Sequence, residues 1–334
     1  SRGLGDVYKR QDLDVKENAL YKSNEQVFKI LLKDRTTKKN LIWATDNYAL
    51  RGKGYQFDDA ISIAAVTNHN GNLIKPRVAK SKKEQSVRIK TKAEVFTPSW
   101  VCNAQNNLVD NSWFGKEGVF NTETEKSWIS NCEKVLFPDG KTWQDYVKEN
   151  RLEITCGEAP YLVSRYDTVT GEEIPVRDRI GLLDRKLRIV SENIDSEIEW
   201  YEWAEKAFQS IYGYDWQGDN VLLARENLLE TFIDYYVEKF EVYPINEYLL
   251  KIAEIISWNI WQMDGLKFVV PNSCHKQKPL QMSLFGEEPE EECLGCKTNN
   301  PFKHNGIYCY VMDWETKKKV KFANLIKESN KRGN

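Results

Sequence analysis

Two short runs carry groups whose type and spacing suit ligand binding. Glu153-Ile154-Thr155-Cys156-Gly157-Glu158-Ala159-Pro160 reads as a strand that ends in a turn at Gly157. Such a turn brings backbone N–H groups against a ligand, and Ala159 is small enough to permit close approach. Ile211-Tyr212-Gly213-Tyr214-Asp215 reads as a second strand ending in a carboxylate, followed by a helix bearing Ala224, Asn227 and Leu228. A carboxylate in that position accepts hydrogen bonds from both ribose hydroxyls of an adenosine moiety, as in dinucleotide-binding folds. Two plainer readings stand beside these: a glycine turn after a strand occurs in any α/β protein, and Asp215 suits helix capping, a role for which Asp219 competes.

A third run is rich in thiols. Between Cys274 and Cys309 lie four of the seven cysteines and two of the three histidines: Cys274, His275, Cys293, Cys296, His304 and Cys309. The pair Cys293 and Cys296, with His304 and Cys309, has the spacing of a small zinc knuckle of three thiolates and one imidazole. Such a tetrahedral site would pin a loop too polar to fold by burial. Four protein ligands leave no open position, which makes the expected zinc structural; a cluster of unliganded thiols is the alternative.

Positioning these groups requires alternating strands and helices, and the middle of the chain has that pattern. Residues 152–155 and 209–214 read as strands, as do 258–262 and 266–270. Ile180, Leu183, Leu187 and Val190 share one helical face, and Trp200, Trp203, Ala204 and Ala207 share another. Residues 219–240 and 247–257 read as two further helices, with Trp258 and Trp261 as core residues. This alternation predicts a doubly wound α/β sheet. Upstream, 24–34 is an amphipathic helix, 41–44 and 61–66 are short strands, and 68–71 is a turn. Residues 75–92 lead as a helix into Phe96-Thr97-Pro98. Val101, Ala104 and Leu108 mark one face of the next helix, whose first turn suits Pro98. Residues 111–141 lack a sustained period and read as a long surface loop, and 307–324 as a hairpin.

Composition narrows the class. The 334 residues are 41% apolar and 29% charged, in the range of a soluble globular protein. No run approaches the roughly 18 apolar residues of a membrane span, and no secretory segment is visible, so the expected location is cytoplasmic. An odd number of cysteines, with Cys102, Cys132 and Cys156 standing singly, fits reduced thiols. The net charge of −2 gives no overall attraction to nucleic acid. Residues 75–92 nevertheless hold eight Lys or Arg and one acid, Glu84, and a second basic cluster comprises Lys317, Lys318, Lys319, Lys321 and Lys327. Either stretch suits DNA phosphates or a solvated helix face.

Taken in order and spacing, Glu94-Val95-Phe96-Thr97-Pro98, the 153–160 turn, and Gly213-Tyr214-Asp215 with Ala224-Arg225-Glu226-Asn227-Leu228 resemble the cofactor half of the gamma-class adenine-N6 DNA methyltransferases. More closely, 92–108 and 258–274 are similar to chains labelled restriction endonuclease subunit M, the modification subunits of restriction systems. The resemblance spans about 34–325. It implies a Rossmann-like domain that binds S-adenosylmethionine, with DNA and other restriction-modification subunits as partners. Phe96, Thr97 and Pro98 would contact the methionine end; Glu153, Cys156, Gly157 and Ala159 would form the cofactor loop; Asp215 would hold the ribose. Asn259-Ile260-Trp261-Gln262-Met263-Asp264-Gly265-Leu266 looks like the third strand, with Asp264 facing the cofactor adenine. Ala159 stands where the family has glycine. The family's Asn/Asp-Pro-Pro-Tyr/Phe segment, which orients the target base, has no match; Asn300-Pro301-Phe302 lacks the second proline and lies between cysteines. Catalytic residues are therefore not assigned, and a non-catalytic DNA- or partner-binding subunit is the alternative function.

The expected organisation is a sequencing-adapter read-through over 1–11, an N-terminal α+β region over 12–93, a cofactor domain over 94–270, a Cys/His-rich insert over 271–309, and a hairpin with tail over 310–334.

Overall fold

The computed structural model describes residues 17–92, 94, 97–276 and 290–332. The adapter expected over 1–11, and Phe96, lie outside these residues. In chain order the elements are helices α1 (Glu17–Ser23), α2 (Glu25–Leu32), α3 (Ile63–Val66), α4 (Lys82–Lys92) and α5 (Ser99–Phe114), then strands β1 (Asn121–Thr124) and β2 (Ser127–Ser130). There follow α6 (Trp143–Lys148), β3 (Arg151–Ile154), α7 (Leu182–Asn193), α8 (Glu197–Gln209), β4 (Ile211–Asp215), α9 (Gly218–Phe240), α10 (Asn246–Asn259) and β5 (Ile260–Gln262). The chain closes with α11 (Leu294–Thr298), β6 (Tyr310–Asp313), β7 (Lys318–Lys321) and α12 (Phe322–Arg332).

The architecture is mixed α/β. A parallel sheet runs in the order β3-β4-β5, with Arg151 opposite Ile211 and Gly213 opposite Ile260. Helices α7 and α8 connect its first two strands, and α9 and α10 the second and third. On β4 the side chains alternate. Ile211 joins the main core with Val221, Leu228 and Ile256, whereas Tyr212 and Tyr214 join a smaller cluster with Trp261, Met263, Val311 and Phe322. Residues of α1 and α2, including Leu20, Val27, Phe28 and Leu31, belong to the main core. The N-terminal region therefore packs into the same body as the sheet.

Arg225 on α9 ties this body together. Fully buried, its guanidinium donates to the carbonyls of Ile260 (2.8 Å), Leu31, Lys33 (2.9 Å) and Ser257 (2.9 Å), joining the ends of α2 and α10 to β5. The cost of desolvating it draws its pKa down to about 9.

Five expectations are corrected. Residues 41–44 form no named strand, Ala44 being left-handed (φ 61°): Gln262 clasps Ile42, accepting from its N–H (3.0 Å) and donating to its carbonyl (2.8 Å), and 63–66 is the helix α3. The expected loop over 111–141 contains the last turn of α5 and the β1–β2 hairpin, and of the expected strand over 266–270 residues 266–268 are a turn capped by Asp264, with Val269 in isolated bridges to Asp264 and Tyr308. The fifth correction is α5, which is inside out. It buries Asn103, Asn106, Asn107 and Asp110, while Leu108 is 70% exposed and Val109 is also exposed. The cause is Arg185 of α7, fully buried, which donates to Asp110 (2.6 Å), Asn103 (2.9 Å) and Asn107 (2.7 Å). A buried guanidinium requires polar partners, so α5 turns its Asn/Asp face inward. Of the expected Val101–Ala104–Leu108 face, Leu108 is thereby turned outward, while Val101 and Ala104 are half-buried.

Candidate functional site

The carboxyl ends of β3 and β4 open into a cavity of about 940 Å³. Its lining includes Thr45, Glu94, Thr97, Glu153, Cys156, Gly157, Asp215, Trp216, Gln217 and Asn220. The outer ends of parallel strands are the usual ligand position in α/β sheets. Five residues expected from sequence thus meet in one place: Thr97, Glu153, Cys156, Gly157 and Asp215.

The turn that joins them is tightly built. Thr155, Gly157 and Ala159 all have positive φ, at 49°, 53° and 64°. Ala159 therefore occupies a left-handed position that glycine would adopt without strain. It is fully buried and does not line the cavity. The Cys156 N–H donates to the Tyr214 carbonyl at 2.8 Å, and the Gly157 N–H donates to Asp215 Oδ2 at 3.0 Å. Gly213 packs closely here: a Cβ would stand 3.2 Å from Ile260 Cδ1 and 3.3 Å from Cβ and Sγ of Cys156, so these side chains would have to give by a few tenths of an ångström. Burial pushes the Cys156 thiol well above its usual range, so it fills space and is not a nucleophile. Pro98 caps the start of α5 outside the lining, and the Thr97 carbonyl accepts from Thr168 Oγ1 at 3.0 Å.

The cavity is acidic and unsatisfied. Burial drives Glu153 well above the carboxylate range, with Asp215 adding to the rise against N–H groups of Tyr161 and Leu162. Asp215 is raised to about 6, again chiefly by burial, against N–H bonds from Gln217 and Gly157. Three buried atoms of lining residues lack a hydrogen-bond partner: Thr45 Oγ1, Glu153 Oε2 and Asn220 Oδ1. Among the described residues that line the cavity, none is Lys, Arg or His. Glu94 is already neutralised, by Arg88 at 3.0 Å and Lys80 at 3.5 Å, so these two members of the basic stretch face inward. Lys82, Lys83 and Lys90 remain exposed. The arrangement suits a ligand with positive charge and hydroxyl or amino donors.

Sequence reasoning missed Thr45, Trp216, Gln217 and Asn220. Trp216 and Gln217 directly follow Asp215, and Asn220 lies in the first turn of α9, so the strand-end argument reaches them when carried a few residues further. Thr45 arrives from a distant segment and has no local signal.

Asp264 lies elsewhere. Its Oδ1 accepts from the N–H groups of Leu266 (3.0 Å) and Lys267 (3.2 Å), and its Oδ2 is 3.7 Å from Lys267 Nζ. With Trp216, Lys267, Cys274, Cys293 and Cys296 it lines a second cavity, of about 500 Å³. Here Cys274, Cys293, Cys296 and His304 bring their donor atoms within 4.8 Å of one another, a group that could hold a metal ion. The expected set is corrected at one ligand: Cys274 takes the place of Cys309. The Cys309 thiol is fully buried beneath β5 and donates to the Gln262 carbonyl at 3.5 Å, because pairing of Cys309 with Phe268 turns it into the smaller core. The Val270 N–H to Ile307 carbonyl bond, at 2.8 Å, aligns the segment that leads to Cys274 with the other ligands. Asn300-Pro301-Phe302 sits in this region too, where Asn300 Oδ1 caps the Phe302 N–H at 2.9 Å, away from the first cavity. No helix is long and apolar enough to cross a membrane among the described residues. Compared with protein-family models, curated proteins and solved structures, the chain matches none.

Proposed function

We propose that the chain is a Rossmann-like, S-adenosylmethionine-binding component of a bacterial restriction-modification system that serves methyl transfer to adenine N6 in DNA. The observation that carries this reading is the acidic cavity at the ends of β3 and β4, with its three unpartnered polar atoms and no basic lining residue. A dinucleotide or nucleoside triphosphate brings phosphates, for which the lining offers no Lys, Arg or His and which Asp215 would repel once ionised. S-adenosylmethionine brings a sulfonium and an ammonium instead, and when bound it supplies the electrophilic methyl group.

The residues divide the work by position. Asp215 and the Gly157 turn would hold the ribose, and Glu153 would face the ammonium. Trp216, next to Asp215 in the lining, would lie beside the adenine in the place expected for Asp264. The exocyclic amine of the target base is a poor nucleophile and must be oriented by other groups. No group of this chain is assigned to that step. Exposed lysines of α4 and β7 supply phosphate contacts to DNA.

Titration calorimetry tests the cofactor half. The chain should bind S-adenosylmethionine, and Asp215→Ala should weaken binding by about 1.5–3 kcal/mol, the scale for lost hydrogen bonds to a charged group. Thr45→Val, which leaves the turn intact, should weaken it less. Affinity should rise as pH climbs through about 6, where Asp215 loses its proton. No detectable binding under any of these conditions would end the proposal. A labelled-methyl assay on duplex DNA tests the other half: the isolated chain should bind cofactor yet transfer no methyl group, and transfer would return Asn300–Phe302 to consideration.

A further inference from the structure

Segments 264–276 and 290–309 lack a core of their own. From 272 to 308 the only buried apolar side chain among the described residues is that of Cys293. Beyond the backbone pairing of 268–270 with 307–309 at their base and the Phe268–Phe302 ring contact, what joins the two segments is a thin set of polar contacts: Ile307 N–H to Ser273 Oγ at 3.0 Å, and His275 with Asn305. Burial on this scale does not hold a loop in place. The four donor atoms at their junction do have the geometry of a tether.

We propose that Cys274, Cys293, Cys296 and His304 bind one zinc ion in a closed, structural site that staples these two segments together and fixes the wall of the second cavity. The distances carry the argument. A tetrahedral zinc with ordinary Zn–S and Zn–N bonds separates its sulfur and nitrogen ligands by about 3.6 Å. His304 Nδ1 lies 3.5 Å from Cys274 Sγ, 3.5 Å from Cys293 Sγ and 3.7 Å from Cys296 Sγ, so all three edges that meet at the imidazole have the required length. None of these cysteines is in a disulfide.

The backbone is shaped for the same purpose. The Cys296 N–H points at Cys293 Sγ at 3.4 Å, the contact that stabilises a thiolate within a Cys-x-x-Cys turn. Gly295 between them is obligatory, since a Cβ would stand 2.5 Å from His304 Nδ1 and expel the imidazole. Three thiolates and one neutral imidazole on a divalent zinc would leave the centre with one net negative charge. Lys267, which lines the same cavity and is tethered by Asp264, supplies a compensating positive charge. Trp216 borders both cavities, so the stapled segments buttress the wall of the first one.

The test does not depend on the ligand of the first cavity. Elemental analysis of the full chain, purified under reducing conditions without chelator, should find about one zinc per chain. Cys274→Ser and Cys293→Ser should lose it, and Cys309→Ser should keep it. Because a cysteine variant can misfold, the unaltered protein should also be loaded with cobalt, whose absorption should be that of a tetrahedral thiolate complex. Stripping the metal should move the first protease cleavage into 290–309, read by mass spectrometry. Metal-free protein, a weak octahedral cobalt spectrum, loss of zinc from Cys309→Ser with retention in Cys274→Ser, or an unchanged cleavage pattern would each overturn the proposal.

Discussion

Asp184 shows how differently two oxygens of one carboxylate can be treated. Its Oδ2 accepts from Ser164 N–H (2.8 Å), Ser164 Oγ (3.0 Å) and Gly181 N–H (3.1 Å), whereas Oδ1 is buried without a partner. Burial raises its pKa from 3.8 to about 6, against the pull of Arg179 and these donors. The sign follows directly. Between about 4 and 6 the native state keeps a proton that the unfolded chain has lost, so this residue's contribution to stability falls as pH rises through that window and is level above it. Two pKa units correspond to about 3 kcal/mol. Asp184→Asn keeps the satisfied oxygen and places an amide where the orphaned one stood. Its denaturation free energy should match the wild type at the acid end of the window and exceed it above the window. Parallel curves in denaturant titrations across that range would show the charge to be harmless.

At the scale of elements, Arg225 does what no apolar side chain could, since its donors satisfy carbonyls from α2, α10 and β5 at once. Arg225→Leu fills similar space but strands four acceptors, and should cost about 3–5 kcal/mol, seen as a lower denaturation midpoint. A loss below about 1 kcal/mol would mean that water enters and replaces it. This also marks how far local pattern reveals the fold. Helices α7, α8 and α10 were legible because each has a sequence period that matches its buried face, whereas β3 was found as a short apolar run although it exposes Leu152 and Ile154 and buries Glu153. Gly157 and Asp215 were legible because both close strands that lie side by side. Helix α5 was misread because its inward face is chosen by Arg185, more than 70 residues away. Thr45 was invisible because its segment is held by Gln262, over 200 residues downstream. Cys309 and Cys274 were exchanged because ligand spacing along the chain does not record which segments fold back on each other.

For the whole molecule, the sheet has two unlike edges. All three residues of β5 are buried, and Gln262 fastens the 41–44 segment beside it. On β3, Leu152 is exposed and Ile154 is 63% exposed, next to the outward Val109 of α5, and all three line the rim of the first cavity. Open strands with apolar side chains pair readily with other chains. In colloidal terms this face is a directional attraction on a particle whose net charge of −2 provides little repulsion. Added salt screens that repulsion and leaves the attraction in place. The second virial coefficient should therefore turn negative as salt is raised, and Ile154→Lys should return it toward positive values without lowering the melting temperature. If light scattering finds the two proteins alike, the edge is too weakly sticky to matter. If it finds them different, the solution behaviour of the protein, like the shape of its ligand cavity, is governed by a few residues of one short strand.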